Sequence, residues 1–293
     1  MKKITTRLLS LVLLGAFIPS FVLADNWYLE NGSISVEATE SGQTVSQGGT
    51  TTPDPTPVIS THAPDSTQTG AVENTITIKA EENATANVTL ENVNINTSTT
   101  GEAAITTSGE GSVNIELDGT NEVQSGANHA GVEKKDNGSL TITDENNNGS
   151  LTATGSTGGA GIGGGKDGSG SYITIEGGTV KANGGYGAAG IGGGHAGAGS
   201  EITVSGGNVE AQGGEDGAGI GGGFAGAGSE ITVSGGNVEA KGGENAAGIG
   251  GGNGGSGSTI NIENGKVTTN GGKNGAGIGG GNGGDGIGIT VSG

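Results

Sequence analysis

The feature that most constrains this chain is an exact 29-residue period. Ile162, Ile191, Ile220, Ile249 and Ile278 follow one another at that step, as do Ile173, Ile202, Ile231, Ile260 and Ile289. Val180, Val209, Val238 and Val267 keep the same spacing, and residues 190–218 differ from residues 219–247 at four positions. Self-similarity at a fixed step of this size marks a stack of like units, each burying its apolar face on the next. Within a unit the apolar residues alternate, as in Glu201-Ile-Thr-Val-Ser205 and Asn208-Val-Glu-Ala211. That is the period of a strand and not of a helix.

The period continues backward into a different texture. Glycine makes up 69 of 293 residues, with 14 in residues 1–150 and 55 after them. Ala103-Ala-Ile105, Ala130-Gly-Val132 and Ala160-Gly-Ile162 nonetheless head successive units, and Thr75-Ile-Thr-Ile78, Val88 and Val93-Asn-Ile95 fit an earlier one. The fold expected is all-β, a right-handed parallel β-helix of ~29-residue coils with an N-terminal cap. From about residue 75 it should hold roughly seven coils, about 35 Å tall at ~4.8 Å each. The glycines then serve as sharp corners and points of close backbone approach.

Four regions follow. Residues 1–24 read as a signal peptide, with Lys2, Lys3 and Arg7 ahead of an apolar run and Val22-Leu23-Ala24 as a cleavage site. Residues 25–74 read as a β cap, with Trp27 and Tyr28 packed over the first coil. Residues 75–159 are glycine-poor coils, and residues 160–293 are Gly-rich repeats, the last one incomplete. That last coil suggests a chain truncated at residue 293, or an open edge prone to end-to-end self-association.

Charge narrows the partners. Past the leader the chain has eight lysines, no arginine and 30 acidic residues, a formal charge of −22. Such a surface disfavours nucleic acid and attracts cations. There is no cysteine to form a disulfide or a thiolate metal site. No membrane span is expected in the mature chain, and the protein is expected to be secreted or held at the cell surface.

Several segments carry a family likeness. Gly32-Ser-Ile-Ser-Val-Glu-Ala-Thr39, Ser41-Gly-Gln-Thr-Val-Ser-Gln47, Pro57-Val-Ile-Ser60, residues 103–119 and His129-Ala-Gly-Val-Glu-Lys134 precede the Gly-Ala-Gly-Ile-Gly-Gly-Gly units. Over about residues 27–165 the chain resembles the clostridial carbohydrate-binding domain family of secreted bacterial proteins. The resemblance implies a cell-surface parallel β-helix that binds polygalacturonate and calcium. It assigns no ligand residue.

The repeat itself offers candidates. One coil apart, Glu201 stacks on Glu230, Glu210 on Glu239, and Glu215 on Glu244, with Asp216 beside Glu215. Carboxylates ~5 Å apart repel unless a cation bridges them, and Ca2+ takes such oxygens. The bland alternative is a set of solvated, screened ladders. Tyr172 and Tyr186 share a coil and could form a small sugar platform, or stand as solitary surface aromatics. A single Gly-Gly-Asn-Gly-Gly-Asp-Gly-Ile-Gly stretch at 280–288 matches a calcium nonapeptide that needs tandem copies.

An enzyme is not expected. Lyases on this fold usually use a basic residue, commonly arginine, and every acid lies in or near a repeat column. The histidines, His62, His129 and His195, are scattered. The function expected is non-catalytic binding of carbohydrate, an acidic polysaccharide or cell-surface glycan held with calcium. The alternatives are a passive adhesin or spacer stalk and an ice-binding face. Thr203, Ser205, Thr232, Ser234, Thr290 and Ser292 would form that face, interrupted by Glu176, Asn261 and Glu263.

Overall fold

A computed structural model describes residues 25–292, so the leader reading of residues 1–24 lies outside the described residues. The chain is an all-β, right-handed parallel solenoid of about nine turns. Three sheets line it, with ten, seven and eleven strands, named here A, C and B in the order each coil visits them. One coil runs through Gly199–Val204 in sheet A, Asn208–Gln212 in sheet C and Ile220–Gly221 in sheet B.

The repeat columns become ladders. Ile202 pairs with Ile231, Val209 with Val238 and Ile220 with Ile249, all in parallel register. Their side chains point inward and are fully or almost fully buried. Alternation sends the intervening Thr203 and Glu210 outward, which is the period-two rule applied coil after coil.

The glycine corners set the spacing. Gly193, Gly222 and Gly251 each donate to the carbonyl of a glycine in the next coil at 2.9 Å. Gly221 has φ +133°, and a Cβ there would lie 2.0 Å from the Gly250 oxygen. Its counterparts Gly192 and Gly250 are held in the same way.

The backward trace also holds. Ile76 pairs with Ile105, Val88 with Ile115, and Ile105 with Val132. The step then changes where the two textures meet. Val132 pairs with Ile162, 30 residues on, but Leu140 pairs with Ile173, 33 residues on. The corner between sheets B and A lengthens there, from the short turn after Lys134 to the glycine turn after Gly163.

The N-terminal region is already part of the sheets. Asn26–Tyr28 pairs with Val58–Ser60 in sheet A, and Ile34–Thr39 pairs with Ile76–Ala80 in sheet B, both parallel. Gly42–Gln47 and Thr50–Pro53 then add antiparallel strands to the outer edge of sheet B. Gln43 crosses to sheet A, where its side-chain amide accepts from the Asn87 N–H at 2.8 Å and donates to the Asn87 carbonyl at 3.0 Å. One side chain thereby stands in for a missing strand. Trp27 packs on the core and donates to Asp54 at 2.8 Å.

Glu30 pins the loop at this end. Its carboxylate accepts from the Ala63 N–H at 2.9 Å, from His62 Nδ1 at 3.2 Å and from the Ser66 hydroxyl. The Ser66 hydrogen bond is the main cause, with the Ala63 N–H next, holding this carboxyl below its ordinary range.

Two predictions follow from these contacts. Gly221→Ala combines a left-handed backbone with a backbone clash and should cost about 3 kcal/mol or more in urea unfolding. Gly283→Ala has φ +77° but no atom within 4 Å. It should cost only about 1–2 kcal/mol, so equal losses would refute the close-approach argument. Because the Glu30 pKa is lowered on folding, its contribution is present above the usual carboxylate range and is lost as pH falls through the folded value. Amide exchange in residues 61–70 should therefore accelerate on acidification, and Glu30→Gln should give fast exchange already at neutral pH. A loop equally protected in both proteins would count against the pin.

Candidate functional site

The outward face of sheet A carries an unbroken polar row. Asn87, Asn114, Thr141, Thr174, Thr203, Thr232 and Asn261 occupy one column in register. Each is half-buried. The row is internally bonded in places, with Asn114 Nδ2 donating to Asn87 Oδ1 at 2.9 Å. Amides and hydroxyls both donate and accept, so the row presents both polarities to a ligand.

Two grooves open on this face. The first, of about 540 Å³, is bordered by Asn87, Asn114, Thr141, Glu116, Glu145 and Glu176. Glu116 is fixed by the Thr143 hydroxyl at 2.5 Å and the Glu145 N–H at 2.7 Å. Glu145 reaches the groove because the corner after Thr143 runs six residues to Ser150, against one residue at Gly119 in the preceding coil. Sequence reading assigned every acid to a repeat column and missed this grouping. The Asp144-Glu-Asn-Asn-Asn-Gly149 insertion was its visible signal.

The second groove, of about 480 Å³, contains Tyr172, Glu201 and Glu230 along with Thr174, Thr203 and Thr232. Tyr172, Glu201, Glu230 and Thr259 form a column in the left-handed region, with φ between 51° and 58°. They are a bulge repeated in four successive coils. Ser171 pairs with Ser200 and Ile173 with Ile202, while the residue between is pushed out of the ladder. The Tyr172 hydroxyl hydrogen-bonds Glu201, and that bond, then the carboxylate charge, raises the phenol pKa. From the coil below, the Lys134 ammonium lies 5.8 Å from the Tyr172 ring centroid.

The other expected site residues separate. Glu210 and Glu239 are paired on sheet C, and Glu210 takes an ion pair from Lys181 at 3.0 Å. Glu215 and Glu244 are exposed at the corner between sheets C and B. Asp216 does not join them. It is 7% exposed, and its Oδ1 accepts from Asn245 and Asn253, each at 2.9 Å.

Tyr186 lies against this pair. Its phenol pKa is raised by the charge of Asp216 first and Glu215 second. The two tyrosines thus engage different acids, Tyr172 on the face of sheet A and Tyr186 at the corner between sheets C and B. His195 and Phe224 stack, with centroids 5.1 Å apart, one coil apart in the same turn column. Among the described residues no three carboxylate or imidazole groups converge where a metal could sit, and no helix is long and apolar enough to cross a membrane.

Comparison with known proteins agrees with this architecture. Residues 147–166, 173–195, 202–224 and 231–253 match the family described as Beta helix repeat. No curated protein and no solved structure matches the chain. The four matched segments span the junction between the two textures and the glycine-rich coils above it, where both grooves have residues.

Proposed function

We propose that this is an exported, non-catalytic protein that binds an extended glycan along the outward face of sheet A. The observation that carries this reading is the half-buried row from Asn87 to Asn261, repeated once per coil and flanked by two open grooves. A rigid ladder of groups that each donate and accept suits a polymer whose hydroxyls also recur at a fixed interval. The leader read in residues 1–24 supports export.

For an acidic polysaccharide we infer calcium as a shared ion. Ca2+ takes six to eight oxygens, and Glu201 with Glu230 supplies only part of that set. Sugar carboxylates would supply the remainder, so the ion and the glycan should bind together. Glu210 and Glu239 serve this role less well, because Lys181 already neutralises one of them. Asp216 is turned inward and is withdrawn from it. The hydroxyl rows are poorly suited to ice, because the repeated bulge projects Glu201 and Glu230 beside Thr203 and Thr232.

The test is retention on immobilised polygalacturonate and on a neutral glucan, each with calcium or with a chelator. Calcium-dependent retention on polygalacturonate is expected, weakened about tenfold in the Glu201→Gln/Glu230→Gln double variant. Retention on the neutral glucan that ignores the chelator would keep the sheet A reading and remove the shared ion. No retention under any condition would overturn both and favour a passive adhesin or spacer stalk.

A further inference from the structure

Positive charge gathers at one place in this acidic chain. Of the eight lysines past the leader, Lys134, Lys135 and Lys166 line a single cavity of about 390 Å³ with Asn128, His129 and Glu133. The neighbouring Asp136 and Asp167 do not line it.

The cavity is a product of the junction between the two textures. Below it, the strand Val132–Lys134 runs on to Lys135, whose N–H donates to the Thr107 carbonyl at 3.1 Å. Above it, the first glycine corner turns away after Gly163. Like corners stack backbone on backbone, as the Gly221 contact shows. Unlike corners leave space, and Gly165 keeps it open. A Cβ at Gly165 would lie 2.7 Å from Glu133 Oε2 and 2.9 Å from the Asn128 oxygen.

The lining is ordered by one buried carboxylate. Glu133 is 5% exposed. Its Oε2 accepts from His129 Nδ1 at 2.7 Å and from the Ala130 N–H at 3.2 Å, and its Oε1 lies 3.3 Å from Lys135 Nζ. Both oxygens are therefore engaged, and the carboxylate acts as a brace for His129 and Lys135. Lys134 is buried, with its ammonium turned toward Tyr172 and the Asp136 carbonyl, so it adds positive field from one side. Lys166 is exposed at the rim and makes no ion pair among the described residues. Lys135 and Lys166 thus share the cavity with one carboxylate whose two oxygens are already engaged, while Lys134 points toward Asp136.

We propose that this cavity is an oxyanion-binding site, taking one sulfate, phosphate or carboxylate group between the Lys135 and Lys166 ammonium groups. It lies at the corner between sheets B and A and does not depend on glycan binding along sheet A. A free ion and an acidic sugar present the same chemistry to it.

The three histidines provide the test, because one of them walls the cavity and two do not. Ring signals of His62, His129 and His195 are followed by NMR in the full mature chain at constant ionic strength. Inorganic sulfate, inorganic phosphate and monomeric galacturonate are titrated separately against chloride. The His129 signals should move saturably while those of His62, held by Glu30 in the N-terminal coil, stay in place; His195, one coil above Lys166, serves as a second near reporter. Lys166→Gln, at an exposed position, should weaken the response about tenfold or more, and Lys135→Gln should do likewise. The unmoved His62 signals report that each variant is folded. Saturation by sulfate or phosphate identifies a free-ion site, and saturation by galacturonate alone identifies a sugar-borne carboxylate. Linear drift of all three histidines, or an undiminished response in both variants, would overturn the proposal.

Discussion

The structure depends on how closely one glycine corner can lie on the next. The carbonyl of Gly250 occupies the place where a Cβ of Gly221 would be, and the same contact recurs at Gly192 and Gly250. This approach lets Gly222 donate to Gly250 at 2.9 Å across coils. A net gain of about 1 kcal/mol per hydrogen bond is small, but it recurs many times in every coil. It complements a thin core in which the buried side chains of a coil are mostly Ile, Val and Ala. Glycine is costly in most folds because it loses the most backbone freedom on ordering. Here that loss is the condition for the strand spacing on which every ladder relies.

Uniform corners also explain where chemistry does and does not collect. Between residues 190 and 247 the corners are nearly identical, so the backbone fills its own surface and side chains point outward singly. The first groove and the lysine-lined cavity instead form where consecutive coils differ. The insertion Asp144–Gly149 brings Glu145 over the Asn87–Asn114 row. The step from 27 to 33 residues between Val113, Leu140 and Ile173 opens the lysine-lined cavity. Both irregularities fall in residues 130–176, next to the one aromatic ring on the sheet A face with a cation beneath it, Tyr172.

Most of the fold was legible because alternation and an exact period report directly on which side chains face inward. The Ile columns, the backward trace to Thr75 and the outward Thr203 and Glu210 all follow from those two signals. The sites were less legible, for physical reasons that differ. The left-handed bulge at Tyr172, Glu201 and Glu230 falls on residue types that give no conformational signal, unlike glycine. The inward turn of Asp216 depends on Asn245 and Asn253, 29 and 37 residues away, so neighbouring Glu215 gave no hint of it. The seam cavity required knowing that a step of 30 residues in sheet B accompanies one of 33 in sheet A. Spacing along a single column cannot show that difference.

Charge placement then separates two kinds of recognition on one rod. On sheet A, carboxylates project beside hydroxyls, so an anionic polymer would be repelled there unless a cation came with it. At the seam, lysines gather around a carboxylate that is already hydrogen-bonded, so an anion needs no added ion. The net charge, −19 over the whole chain and −22 past residue 24, works against anions at long range, but that field is screened within about 8 Å at physiological ionic strength. Contacts inside a cavity act over shorter distances than that. The same acidic chain therefore sets carboxylates along the regular face of sheet A and lysines at the lengthened corner between sheets B and A, and the difference between them arises from where the repeat is broken.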